Sequence, residues 1–159
     1  MARDLTGARS AGLVLYREDG SGLEVLLVHP GGPFWTKRDR GAWSIPKGVY
    51  GPEEEPLLAA RREFEEELGS VPPDGDVIDL GEITQKSGKR VVAWGLKGDL
   101  DVAEARSNKF TIEWPSRSGN FREFPEVDRA EWFSLELARE KVNPAQVELI
   151  DRLEKALRE

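Results

Sequence analysis

A mixed fold, α/β or α+β, is predicted for this chain by three observations. Short apolar runs of strand length recur along it, the first two at residues 10–17 and 23–29. One longer segment, 56–68, repeats its apolar residues at helical spacing. Strands and helices then interleave without the regular βαβ alternation of a parallel sheet. At 159 residues, the chain suits one domain with its own hydrophobic core.

Each element has its own signal. Residues 10–17 and 23–29 read as an antiparallel hairpin joined by a five-residue connection, Glu18-Asp19-Gly20-Ser21-Gly22. A polar loop carrying Lys37, Arg38 and Arg40 precedes the short apolar run Trp43-Ser44-Ile45. Pro46 is expected to stop ladder pairing there, leaving residues 47–55 as a loop. Pro56 suits the first turn of the following helix, acids at 53–55 suit its positive end, and Gly69 supplies its stop. Leu57, Ala60, Phe64 and Leu68 form the buried stripe of that helix. Val77–Ile83 and Arg90–Leu96 read as strands around the Lys86–Lys89 turn. Residues 98–109 read as loop, Thr111–Trp114 as a strand and 115–120 as a loop. Ala130–Phe133 is a strand, Leu135–Lys141 a short helix and Pro144–Leu157 a terminal helix with Val147, Ile150, Leu153 and Leu157 inward.

Charge is concentrated in one place. The net charge is −7, yet residues 52–69 hold seven acids against two arginines and so carry −5 of it. On the predicted helix Glu63, Glu66 and Glu67 stand at i, i+3 and i+4 and share a face. One like-charged pair at ~4 Å costs on the order of 4 kcal/mol at an effective dielectric near 20. A hard divalent cation among them removes that cost, and metals held this way usually handle phosphates.

Composition excludes several classes. An apolar fraction of 38% with six Phe, five Trp and two Tyr argues against general disorder. No apolar run approaches the roughly 18 residues of a membrane span, and no secretion address is visible at residues 1–7. The absence of cysteine excludes disulfides and zinc–thiolate sites and suits a reducing compartment, so a cytoplasmic protein is expected. Net negative charge argues against stable, non-specific nucleic-acid binding.

Gly48, five residues, Glu54, seven residues, then Arg62-Glu63-Phe64-Glu65-Glu66-Glu67-Leu68-Gly69 resembles the Nudix box. Its polar and glycine positions are all present at the expected spacing over residues 48–70, and Ser70 replaces the final apolar residue. The resemblance implies a Nudix fold, an α/β/α sandwich around a mixed β-sheet, over roughly residues 8–158. It also implies hydrolysis of a phosphoanhydride in a nucleoside diphosphate-linked substrate with Mg²⁺ or Mn²⁺. In the family scheme Glu63, Glu66 and Glu67 are metal ligands, Glu63 or Glu66 is the first choice of general base, and Arg62 orients the cluster while pairing with Glu54. Relatives commonly place another acid ahead of a late strand, and Glu126 fits that arrangement. Trp43-Ser44-Ile45-Pro46-Lys47-Gly48 resembles the subgroup acting on dinucleoside polyphosphates and diphosphoinositol polyphosphates, with Lys47 aimed at a phosphate.

Other residues are weighed beside these. Lys37, Arg38 and Arg40 are candidates for gripping outer phosphates, with a solvated loop as the plain alternative. Trp43, Trp94 and Trp132 read as core, and Trp35 and Trp114 as stacking candidates. His29 reads as a packed strand end. The expected partner is a small phosphorylated molecule; dimers are common among relatives, so a homodimer is compatible. The rival readings are an inositol-pyrophosphate or nucleotide-sugar hydrolase and a non-catalytic nucleotide sensor, which would ordinarily have lost box acids.

Overall fold

A computed structural model describes residues 9–159; the predicted domain start at residue 8 and the N-terminal stretch 1–7 lie outside them. β1 (Arg9–Asp19) and β2 (Gly22–Pro30) form the predicted hairpin. Its connection is two residues long, not five, because Glu18 and Asp19 go on pairing with Leu23 and Gly22. The Asp19 carboxylate accepts from the Ser21 amide at 2.8 Å and closes the turn.

β1 serves three partners. Its second half pairs with β2, its first half pairs with β3 (Lys47–Val49), and along the other edge it runs parallel to β5 (Arg90–Lys97). β1 and β2 therefore diverge, and residues 43–49 fill the gap between them. Val28 bridges Ser44 on one side, and the Leu13 amide donates to the Pro46 carbonyl at 3.2 Å on the other. The expectation that Pro46 ends pairing is thus corrected. Proline lacks a donor but keeps its carbonyl, and that carbonyl carries the ladder into β3.

The main sheet has the order β4 (Val77–Thr84), β5, β1, β2, β8 (Val127–Ser134), with β3 attached to β1. One face packs Leu13, Leu15, Leu26 and Val28 against Ala59, Ala60, Phe64 and Leu68 of α1 (Pro56–Leu68). The other packs Val14, Val25, Leu27 and Trp43 against α2 (Leu135–Lys141) and α3 (Val147–Arg158). The result is an α/β/α sandwich around a mixed sheet. α3 begins at Val147; Pro144–Gln146, predicted as its first turn, is a separate 3-10 turn. Among the described residues no helix is long and apolar enough to cross a membrane.

β6 (Lys109–Glu113) and β7 (Phe121–Pro125) form a separate two-stranded hairpin. β7 was not foreseen, and the 98–109 segment holds a 3-10 turn, Val102–Glu104, and the first residue of β6. β6 alternates polar and apolar residues, whereas β7, Phe-Arg-Glu-Phe-Pro, is mostly exposed and lacks the alternation that marks a half-buried strand.

α1 fixes the site's position. The Glu55 carboxylate accepts from the amides of Leu57 (3.2 Å) and Leu58 (3.0 Å), and Pro56 occupies the first turn. Gly69 ends the helix at φ 74°, with its amide donating to the Glu65 carbonyl at 2.7 Å. Burial of Phe64 and Leu68 contributes about 1.5–3 kcal/mol each, locking the helix's rotation about its axis. Glu55→Ala should lower stability by ~1 kcal/mol, measured as a shift in the urea midpoint at constant slope.

Candidate metal and phosphate site

The rotation set by Phe64 places Glu63 at the sheet and Glu66 and Glu67 at its margin. Glu63 is buried against β3, where its carboxyl group lies against Gly48 so closely that a β-carbon at that position would overlap it. Arg62 binds Glu54 through two bonds, Nε to Oε2 at 2.7 Å and Nη2 to Oε1 at 2.9 Å. Its Nη1 donates to Glu63 Oε1 at 2.8 Å and to Glu66 Oε1 at 3.2 Å. One guanidinium thus fixes three box carboxylates, and the predicted Arg62–Glu54 pair is present. Those three acids in turn hold the Arg62 pKa above its ordinary value, Glu54 most strongly.

Glu67 turns to β3, where its Oε1 accepts from the Lys47 amide at 3.2 Å. Removal from water pushes the Glu67 pKa up to about 8, with Glu63 and Glu126 adding to it and Lys47 opposing. Burial raises Glu63 also, against the hydrogen bond from Arg62. Glu126 lies between β7 and β8, and its amide donates to the Asn108 carbonyl at 2.8 Å. The Asn108 amide donates to the Glu66 carbonyl at 2.9 Å, which ties this loop to α1. Burial raises the Glu126 pKa, and the charge of Glu66 adds to the effect. The acid predicted from its place before β8 therefore stands beside the box.

Lys47 is not the solvated side chain of the plain alternative. Burial and the nearby Lys89 lower its pKa, while Glu67 and Glu63 partly restore it. Sequence reasoning missed Lys89. Its one signal was its place in the Lys86–Lys89 turn, whose strand β5 lies next to β1 in the sheet. Lys37, Arg38 and Arg40 are exposed on the loop 31–42, and among the described residues no ion pair joins them to the box acids. His29 is a packed strand end as expected. Its Nε2 donates to the Arg38 carbonyl at 2.6 Å, its Nδ1 lies 2.8 Å from Asp128 Oδ1, and its ring meets Trp43 edge-on. Trp43 is buried, Trp94 and Trp132 are partly buried against the core, and Trp35 and Trp114 lie at its outside.

A family model for the NUDIX domain matches residues 7–153. The chain belongs to the Nudix family. That family is one of phosphoanhydride hydrolases. No curated protein sequence matches this chain. Among solved structures, the Nudix chain is similar to a C. elegans Ap4A hydrolase binary complex at 23% identity, covering 95% of this chain and 98% of that one with a TM-score of 0.64. It is similar to the NUDIX domain of Shewanella oneidensis NrtR, complexed with ADP ribose, at 17% identity over 95% and 88% of the two chains, TM-score 0.64. A MutT protein from Methanosarcina mazei Go1 is 20% identical over 99% and 100%, TM-score 0.63. At these identities the likeness is one of fold.

The Nudix family generally uses divalent metals, and the donors here are oxygen-only, which suits Mg²⁺ or Mn²⁺. Among the described residues no three acids converge closely enough to hold an ion as they stand. The reason is visible in the contacts: Arg62 holds Glu63 and Glu66, and the Lys47 amide holds Glu67. The residues nonetheless fit a cation: Glu63, Glu67 and Glu126 are neighbouring oxygen donors that burial, and then the charge of a nearby acid, pushes towards neutrality.

That imbalance has a measurable sign. The Glu67 carboxyl titrates near 4.5 in an unfolded chain and near 8 in the folded one. Below about pH 4.5 it is protonated in both states and costs nothing. Between about 4.5 and 8 only the unfolded state releases its proton, so stability falls as pH rises. At about 1.4 kcal/mol per unit, the loss is on the order of a few kcal/mol. Thermal melts in EDTA should show Tm declining from pH 5 to pH 8, and added Mg²⁺ should recover most of it at pH 8.

Proposed function

We propose that this protein hydrolyses a phosphoanhydride bond in a nucleoside diphosphate-linked substrate, a dinucleoside polyphosphate or a nucleoside triphosphate, with Mg²⁺ or Mn²⁺. Glu63, Glu66, Glu67 and Glu126 would hold the metal, which when bound neutralises phosphate charge and acidifies a water molecule. The observation that carries the reading is the carboxylate cluster: every polar and glycine position of the Nudix box is present, Glu63 is seated against Gly48, and the buried acids resist ionisation. A domain spanning residues 8–158 that only sensed nucleotides would have no need to keep such costly groups.

The remaining work falls to the chain's own side chains. Arg62, clamped by Glu54, orients Glu63 and Glu66 and shares its Nη1 between them. Either carboxylate would accept a proton from an attacking water, and the seat of Glu63 against Gly48 supports it as the first choice. Lys47 brings an ammonium to the same cluster. An arriving phosphate would replace the solvation that burial has taken from it. Lys37, Arg38 and Arg40 would meet phosphates outside the cluster.

Calorimetric titration with Mg²⁺, followed by phosphate release from a panel, tests the proposal. The panel holds diadenosine polyphosphates, nucleoside triphosphates including oxidised ones, ADP-ribose and inositol pyrophosphates. Saturable Mg²⁺ binding with turnover of the first two classes is the expected result. Mg²⁺ binding with turnover of inositol pyrophosphates alone would move the substrate class. Nucleotide binding without any turnover would make the protein a sensor.

A further inference from the structure

We infer that Phe34, Trp35 and Trp114 form a stacking surface for the base at the far end of an extended nucleoside polyphosphate, remote from the carboxylates. The inference rests on the nucleotide reading above and specifies which end of the substrate is recognised. Phe34 is 59% exposed and Trp35 37%. Single exposed apolar side chains are ordinary, but two adjacent aromatics backed by a third are not. The Phe34 ring meets Trp114 edge-on with centroids 5.3 Å apart, so loop and hairpin present one aromatic surface.

Position decides what this surface can reach. The loop leaves β2 beside Glu126, where the Gly31 amide donates to the Glu126 carbonyl at 2.9 Å. Gly32 then packs on Phe110 early in β6, and Phe34 meets Trp114 just beyond its end. The loop therefore runs along the hairpin from its base towards its tip. That base is bonded to α1 through Asn108 and Glu66. From Asn108 to Trp114 the chain is extended for six residues, roughly 20 Å at about 3.3 Å each. A base next to the phosphorus handled at the carboxylates does not span that gap, whereas a base at the opposite end of a polyphosphate does.

The loop that carries Phe34 and Trp35 is itself cationic. The Arg38 guanidinium lies 5.6 Å from the Trp35 ring centre, and Lys37 and Arg40 flank it. Among the described residues none of the three forms an ion pair. Rings beside uncompensated cations suit a ligand that is both flat and anionic, and every base offers a π face. The cleft at Glu67 does not compete for this role. At about 250 Å³ it is smaller than the roughly 300–1,000 Å³ of ordinary ligand pockets.

Two measurements test this, one of them independent of turnover. Tryptophan fluorescence is followed while the wild-type protein with Mg²⁺ is titrated with a methylene-bridged, non-hydrolysable diadenosine tetraphosphate, and separately with inorganic tripolyphosphate. Quenching by the adenine-bearing ligand alone is expected. In kinetics with diadenosine tetraphosphate, Phe34→Ala and Trp35→Ala should each raise KM on the order of tenfold with kcat little changed. Trp35→Phe, which keeps an aromatic ring, should retain the low KM and so separates stacking from folding. Equal quenching by both ligands, or by neither, would overturn the inference, as would an unchanged KM in both alanine variants. A dimer that those variants dissociate in sedimentation would instead give the surface to a second copy of the chain. Failure of wild type to hydrolyse any nucleotide would count against the proposed activity, while the fluorescence titration would still decide the stacking surface.

Discussion

Glu66→Gln and Glu67→Gln should each lower kcat on the order of 10²–10⁴-fold while leaving the protein folded. The two substitutions differ in what they do to the protein without metal. At Glu66 the amide removes one acceptor of Arg62, which keeps Glu54 and Glu63, so the melting temperature should change little. At Glu67 the amide oxygen can still accept from the Lys47 amide, but the side chain can no longer ionise in a site that resists ionisation. In EDTA at pH 8 the Glu67→Gln protein should therefore melt above wild type, and Mg²⁺ should raise its Tm less. A variant that is more stable and far less active is the signature of a charge kept for chemistry. Hydrolysis near the wild-type rate by both variants would remove the cluster from the mechanism.

Gly48→Ala should be nearly as damaging to turnover, for a steric reason. The new methyl group would overlap the Glu63 carboxyl. What yields is the end of a flexible side chain, so the folding cost stays in the range of ordinary overpacking, ~1–3 kcal/mol. The carboxylate, however, must leave its seat against β3 and with it the position in which it accepts from Arg62. The expected outcome is a modest loss in the denaturant midpoint with a loss of kcat approaching that of the glutamine variants. An active Gly48→Ala enzyme would show that the seat of Glu63 against β3 is not needed.

Much of this site was legible in the sequence because several local signals agree along one helix. Pro56, the acids before it, the Phe64 stripe and Gly69 all point to the same boundaries, and α1 has them. Glu126 came from the family resemblance and not from a local pattern, which offers Glu123 and Asp128 equally; in the fold it is Glu126 that feels the charge of Glu66. The unforeseen parts depend on contacts distant in sequence. β3 is three residues long and follows a proline, so only its partner β1 gives it away. Lys89 acts on the charge of Lys47 because β3 and β5 flank β1 in the sheet, an order that no local pattern encodes. Glu63, Glu66 and Glu67 were expected on one helix face, but the contacts of their side chains follow from competition. The guanidinium of Arg62 and the amide of Lys47 claim the carboxylates that a cation would gather.

The divergence of β1 from β2 bears on how this protein can vary. Residues 43–49 are stitched to a strand on either side and lead directly into α1, so no residue can be added there without shifting Gly48 from Glu63. The loop 31–42 and the β6–β7 hairpin stand outside the main sheet and tolerate changes of length. Insertions and deletions should therefore accumulate in the parts that meet the far end of the substrate. The part that performs hydrolysis is held at constant length, so substrate preference can drift between descendants of this chain while their reaction stays the same.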